Sequence, residues 1–253
     1  MFAPQLYFDR RTKARCLTRL LLVLALFSFT RTAEAEAFFL QEGSVHAFNG
    51  KSRRPVALSA QARGGKKEDL IKIYDTSKGR SGNHFLVSTQ RDSRYIPNTD
   101  SPSGWDLWLQ EESGPGRSIS ASAFRARFCP EGKRIAYTTT DCVLHVEDLQ
   151  GKKLREVANA YNPHWRRDGK MILFEKVPEG RYLYHPETLH IARLDLASGE
   201  VKLLTDASFD DVRPEFHPSG EWILFVSGGR TGLASFWQVG AEGGEPSQLT
   251  NVG

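Results

Sequence analysis

The sequence is poor in the features that announce chemistry. No Gly-x-Ser-x-Gly elbow occurs, so the hydrolase domain that accompanies some repeat domains is not expected within this sequence. No His-Glu-x-x-His or comparable metal spacing occurs either, and His164 and His217 are expected to be satisfied turn or inter-sheet histidines. Cysteine is nearly absent, with three residues in 253, so no disulfide framework is written into the chain. Charge of one sign is lacking too. The formal net charge is +4, and much of it lies in Arg10, Arg11, Lys13, Arg15 and Arg19. The rest of the chain is nearly neutral, which gives nucleic acid binding no support.

Only one apolar run stands out, Leu20 to Phe29 (LLLVLALFSF), and it is too short for a comfortable membrane span. With the basic cluster before it and the small-residue stretch Thr32 to Ala37 (TAEAEA) after it, it reads as a secretory signal peptide over residues 1–37, cut after Ala35 or Ala37. An uncleaved amino-terminal anchor is the alternative. The signal reading predicts a periplasmic or secreted protein with no stable membrane span after cleavage.

What the chain has instead is repetition. Phe128 to Tyr137 (FCPEGKRIAY) returns as Trp165 to Phe174 (WRRDGKMILF) and as Phe216 to Phe225 (FHPSGEWILF). Each copy is an aromatic residue, a three-residue link into a glycine, and an apolar run. Gly132, Gly169 and Gly220 sit where a tight turn demands positive φ. The runs Ile135 to Tyr137, Ile172 to Phe174 and Ile223 to Phe225 have the composition of strands buried on both faces. A third strand follows each copy, at Val143 to Leu149, Leu189 to Leu196 and Leu233 to Val239. Two copies close alike, with Leu203-Leu204-Thr205 and Gln248-Leu249-Thr250. Four strands per unit, at glycine intervals of about 37 and 51 residues, are the signature of a β-propeller.

The pattern closely resembles the repeats of TolB-type β-propellers, over roughly half the chain from Ala121 to Thr250. Those units read aromatic-Ser-Pro-Asp-Gly-Lys, an apolar strand, an Asp-ended strand and a closing Leu-Thr. Here Arg166-Arg167 stands for Ser-Pro in one copy and Ser219 for Asp in another. The resemblance implies an all-β propeller serving protein interactions in the bacterial cell envelope.

Before the clear repeats, Leu70 to Asp75, His84 to Ser88 and Trp105 to Leu109 read as strands of a divergent first unit. Four blades are expected, at about 69–120, 121–158, 159–205 and 206–250, together forming a propeller domain over 69–253. The segment 38–68 adds three short strands, with Asn49-Gly50 as a hairpin turn. These either complete a partial fifth blade or brace the ring. Cys16 leaves with the signal. Cys129 and Cys142 fall at opposite ends of one unit, roughly 20 Å apart along extended chain, and are expected as free, partly buried thiols.

The insertions carry the functional expectation. Thr89 to Gly104 and Glu175 to Thr188 both join a second strand to a third, so both emerge on one face, where insertions in repeat proteins mark the binding surface. Arg91, Arg94 and Tyr95 stand on one loop, and Arg181, Tyr182, Tyr184 and His185 on the other. Arginine and tyrosine offer planar apolar area with polar edges, suited to protein or carbohydrate, although the tyrosines also suit anchoring a long loop. Asp206, Asp210 and Asp211 add carboxylates to this face, read as a solvated acidic loop rather than a cation site.

Two function classes follow. The first is an exported, non-enzymatic binding module with a protein partner, no cofactor and no metal. The alternative is a glycan-binding or glycosidase-like propeller, needing paired carboxylates about 5 to 9 Å apart across the channel, with Asp69, Asp211 and Glu215 as candidates.

Overall fold

The computed structural model describes residues 37–41, 44–49, 51–56, 70–78, 83–90, 105–112, 114, 116–121, 123–178, 189–206 and 208–250. Nineteen strands in chain order form five antiparallel sheets. The first has three strands, β1 (Ala37–Gln41), β2 (Ser44–Phe48) and β3 (Arg53–Val56). The second holds β4 (Leu70–Lys78), β5 (Asn83–Gln90), β6 (Trp105–Glu111) and β7 (Arg117–Ala121). The third holds β8 (Ala123–Phe128), β9 (Arg134–Thr139), β10 (Leu144–Asp148) and β11 (Lys153–Val157). In the fourth are β12 (Ala160–Trp165), β13 (Met171–Lys176), β14 (His190–Asp195) and β15 (Val201–Leu203). The fifth contains β16 (Asp211–Phe216), β17 (Trp222–Ser227), β18 (Ser235–Gly240) and β19 (Ser247–Gln248).

Within each sheet the strands lie in chain order, so every sheet is a meander. The first strands β1, β4, β8, β12 and β16 touch in succession, which is a propeller-like arrangement of sheets side by side. The three amino-terminal strands form a sheet of their own, packed on the second through Val45, Ala47 and Val56 against Phe85 and Val87. Asn49 opens the β2–β3 turn as expected, its Oδ1 accepting from the backbone N–H of Lys51 and Ser52 at 3.0 and 2.8 Å.

The repeated turn is the same object three times. Gly132, Gly169 and Gly220 have φ of 69°, 69° and 77°. Each donates its N–H to the carbonyl three residues back, on Cys129, Arg166 and His217, at 2.8 Å. A Cβ at Gly169 would be strained by that φ and would press on the end of the Arg134 side chain at 3.0 Å. His217 belongs to this turn, with Nδ1 at 2.9 Å from Ser219 Oγ.

The repeat aromatics lie between sheets. Phe128 joins the cluster shared by the second and third sheets. Trp165 joins the one shared by the third and fourth, and its indole N–H donates to the Arg127 carbonyl at 3.3 Å. Phe216 packs against the cluster of the fourth and fifth. The expectation of a second strand buried on both faces holds for Ile135 to Tyr137 and Ile172 to Phe174. It fails for Ile223 to Phe225, where Ile223 and Phe225 are buried but Leu224 is only half-buried, because no described sheet covers its far side.

The closing strands end earlier than expected, at Leu203 and Gln248, and the Leu-Thr pair has its own role. Thr205 Oγ1 accepts the Ile191 N–H and Thr250 Oγ1 the Phe236 N–H, both at 3.0 Å. A hydroxyl thus substitutes for the next backbone carbonyl and ends the ladder without leaving a third-strand donor unpaired. The Asp that ends the third strand of the third and fourth sheets caps the turn beyond it. Asp148 Oδ1 accepts from Gln150 and Lys152, and Asp195 Oδ1 from Ala197 and Ser198, all at 2.9 Å. Both cysteines of the repeat region are outside any disulfide, as expected, and both are buried rather than partly so.

Candidate functional site

Antiparallel alternation puts the second-to-third connections and the links between sheets at one end of the sheets. Backbone hydrogen bonds tie the two kinds of connection together there. Ala160 donates to the Cys142 carbonyl at 2.7 Å, Val177 to that of Asn159 at 2.8 Å and Asp211 to that of Leu189 at 2.8 Å. The Lys176 ammonium donates to the Ala158 carbonyl at 2.9 Å. The loop residues Arg91, Arg94, Tyr95, Arg181, Tyr182, Tyr184 and His185 lie outside the described residues. Their connections leave and rejoin the described chain at Gln90 and Trp105, and at Pro178 and Leu189, all at this end.

The acidic link on the same face is solvated at Asp206, as expected, but not at Asp211. Asp211 is fully buried, and the Arg230 guanidinium grips it with two bonds, Nη2 to Oδ2 at 2.8 Å and Nε to Oδ1 at 3.2 Å. Arg230 lies on the rings of Phe209, Trp237 and Phe225, with its carbon 4.6, 5.5 and 5.9 Å from their centroids. A buried pair of this kind persists where two parallel bonds join the charges and the guanidinium faces are covered. Asp210 accepts the Leu189 N–H at 3.1 Å, and Asp206 accepts the Ser208 N–H at 3.1 Å. These carboxylates hold the face in shape. Among the described residues no three His, Cys, Asp or Glu side chains gather as a metal site.

A second polar group runs along the first strands. Arg125, Asn162 and Arg213 occupy equivalent bulges in β8, β12 and β16, with φ of 54°, 54° and 55°. Two positions on, Arg127, His164 and Glu215 are again equivalent. Glu175 of β13 ties two of these strands together. Its Oε1 accepts the Arg213 N–H at 2.7 Å and the Asn162 side-chain amide at 2.9 Å. Burial pushes the Glu175 carboxyl above the usual carboxylate range, against the pull of those two donors. Burial also lowers the His164 imidazole, with the Glu215 carboxylate opposing and the Arg127 guanidinium reinforcing the shift. At the junction of the second and third sheets Asp75 of β4 links first strand to first strand, accepting the Phe128 N–H at 2.8 Å, and burial raises its carboxyl likewise.

Sequence reasoning named His164 and Glu215 separately but missed the group they belong to. A left-handed position is marked in sequence by glycine, and none of the three bulges carries one. The weak available signal was the recurrence of polar residues three and one places before each repeat aromatic.

The candidate catalytic carboxylates are not brought together as a pair among the described residues. Asp211 is consumed by Arg230, Glu215 is exposed on β16, and Asp69 lies outside the described residues.

Fold and site together define an all-β chain of propeller-like sheets whose longest connections share one end. Among solved structures, it resembles putative TolB from Agrobacterium tumefaciens at 16% identity and TM-score 0.55, over 86% of this chain and 80% of that one. It resembles TolB from Acinetobacter baumannii at 18% identity and TM-score 0.50, over 88% of this chain but 56% of that one. A puromycin-hydrolyzing peptidase of Mycobacterium tuberculosis is similar at 14% identity and TM-score 0.54, over 83% of this chain and 35% of that one. Proteins of different activity thus share the arrangement, and these identities report the fold alone. No protein-family model and no curated protein matches the chain. Among the described residues no helix is long and apolar enough to cross a membrane.

Proposed function

We propose that the protein is an exported, non-enzymatic binding module, a TolB-type propeller of four four-stranded blades and a partial fifth, which docks a protein partner in the bacterial periplasm or cell envelope. One observation carries the proposal. The long second-to-third connections and the inter-sheet links meet at one end of the sheets and are tied there by the backbone bonds of Ala160, Val177 and Asp211. A rigid rim under long Arg- and Tyr-bearing connections is the usual construction of a protein-binding face. The two TolB likenesses support the same reading. The glycan-active alternative is weakened because Arg230 neutralises Asp211, leaving Glu215 without that acid as its counterpart.

The test is affinity capture from bacterial envelope extracts, with the protein as bait beside a variant carrying Arg181→Ala, Tyr182→Ala and Tyr184→Ala. The expected outcome is one dominant partner retained by the first and lost by the second, with both giving the same β-sheet circular dichroism. Equal capture by both would remove these residues from the interface. Capture of nothing by either would remove the reading and turn attention to glycans.

A further inference from the structure

Every junction between successive sheets from the third onward uses the same positions. On the fourth sheet, Leu173, Ile191 and the motif residue Leu204 face the fifth and are 0, 0 and 5% exposed. Strand register makes Leu224, Phe236 and Leu249 their counterparts on the fifth sheet. Phe236 is 56% and Leu249 48% exposed, and Trp222 on the same face is 45% exposed. The far side of β17 to β19 is therefore built as a junction and lacks its covering sheet among the described residues.

The composition of this face selects its occupant. Its remaining outward positions are Val226, Gln238, Gly240 and Ser247, so β17 to β19 present no charged side chain there. A partner recognised through charge has nothing to read. The described face that lies at the other end of the sheet series is that of the first sheet, with Phe48 beside Arg53 and Pro55. It would set the cationic Arg53 against a face that carries no charge to receive it. The uncharged face of the fifth sheet matches itself, since identical flat apolar sheets pack face to face across a two-fold axis.

The area suffices. Half-exposed aromatic side chains offer about 100 Å² each, and with Leu224, Val226 and Leu249 the face offers about 400 Å² of apolar surface per copy. Two copies, with Gln238, Ser247 and strand backbone added, reach the roughly 1,000 Å² of a specific interface.

We infer that the protein self-associates as a symmetric dimer through the outer face of β17 to β19, with Trp222 and Phe236 as its anchors. This does not depend on what the insertion face binds. Sedimentation equilibrium from about 1 to 100 μM, bracketing micromolar affinity, should show the purified protein passing from monomer to dimer. Trp222→Asp and Phe236→Asp should each weaken association about 30-fold or more, without changing the melting midpoint at concentrations well below dimerisation, because both side chains are half-exposed in the monomer. Gln238→Cys, near the two-fold axis, should give a disulfide-linked dimer on mild oxidation, since both native thiols in this region are buried. A protein that stays monomeric at the top concentration and does not cross-link would overturn the inference. So would a dimer that survives both aspartate substitutions, and the cross-link decides alone if either variant fails to fold.

Discussion

Glu175 shows how one buried side chain does the work of several. It fixes Asn162 on its own sheet and the backbone of Arg213 on the next, across a junction that has no backbone ladder. Burial raises its carboxyl, so the folded state holds the proton more tightly than the unfolded chain does. The contribution is fully present below the unfolded pKa and is lost as pH rises from there through the folded value. Melting midpoints measured from pH 4 upward should therefore fall across that window in the native protein. Glu175→Gln, which keeps an acceptor for the Arg213 N–H, should flatten the fall, and an unchanged pH profile would contradict the assignment. The Asp211–Arg230 pair is the opposite case, two opposite charges enclosed together. Asp211 was read from the sequence only as a surface or channel carboxylate, and its pairing with Arg230 was not legible. Asp211 sits where the other repeats have Ala123 and Ala160, and its partner is nineteen residues away in a different connection, so no local pattern links them.

At the scale of the element, the three turn-and-strand copies form because aromatic, glycine and apolar run each meet a local demand. That is why this region of the fold could be read directly, almost to the residue. What the pattern did not disclose is where the aromatics go. They fill the junctions between sheets, and their burial is set by neighbours remote in sequence. Trp165 is enclosed by the third and fourth sheets and donates to Arg127, whereas Phe216 is only half-buried. Trp165→Ala should cost about 3 to 5 kcal/mol, and Phe216→Ala clearly less. Denaturant melts of the two variants, compared at equal slope, check the order. The bulges at Arg125, Asn162 and Arg213 escaped the sequence reading for a related reason. The repeat imposes them through strand geometry rather than through residue type.

For the whole molecule, successive sheets share clusters with their neighbours, so stability accumulates by nearest-neighbour packing, as in other repeat proteins. The third and fourth sheets are flanked on both sides and the fifth on one. Hydrogen exchange should accordingly be slowest on β9 and β13 and measurably faster on β17 at protein concentrations well below dimerisation. Equal protection of all three strands would show that the molecule opens as a single unit. The repeat order, four-strand units and boundaries near 121, 159 and 206 were legible in the sequence because the motif punctuates them. The separate amino-terminal sheet was left between two alternatives, since β1 to β3 carry no copy of the motif.

Arg125, Asn162 and Arg213 leave one further consequence. At these positions the chain takes the twist that L-amino acids resist, and takes it with side chains in place of glycine. Natural chirality is a burden there rather than a help. A mirror-image residue placed by chemical synthesis at 162 would lie in its own preferred basin, so the three bulges are places where a protein of one hand is locally written for the other.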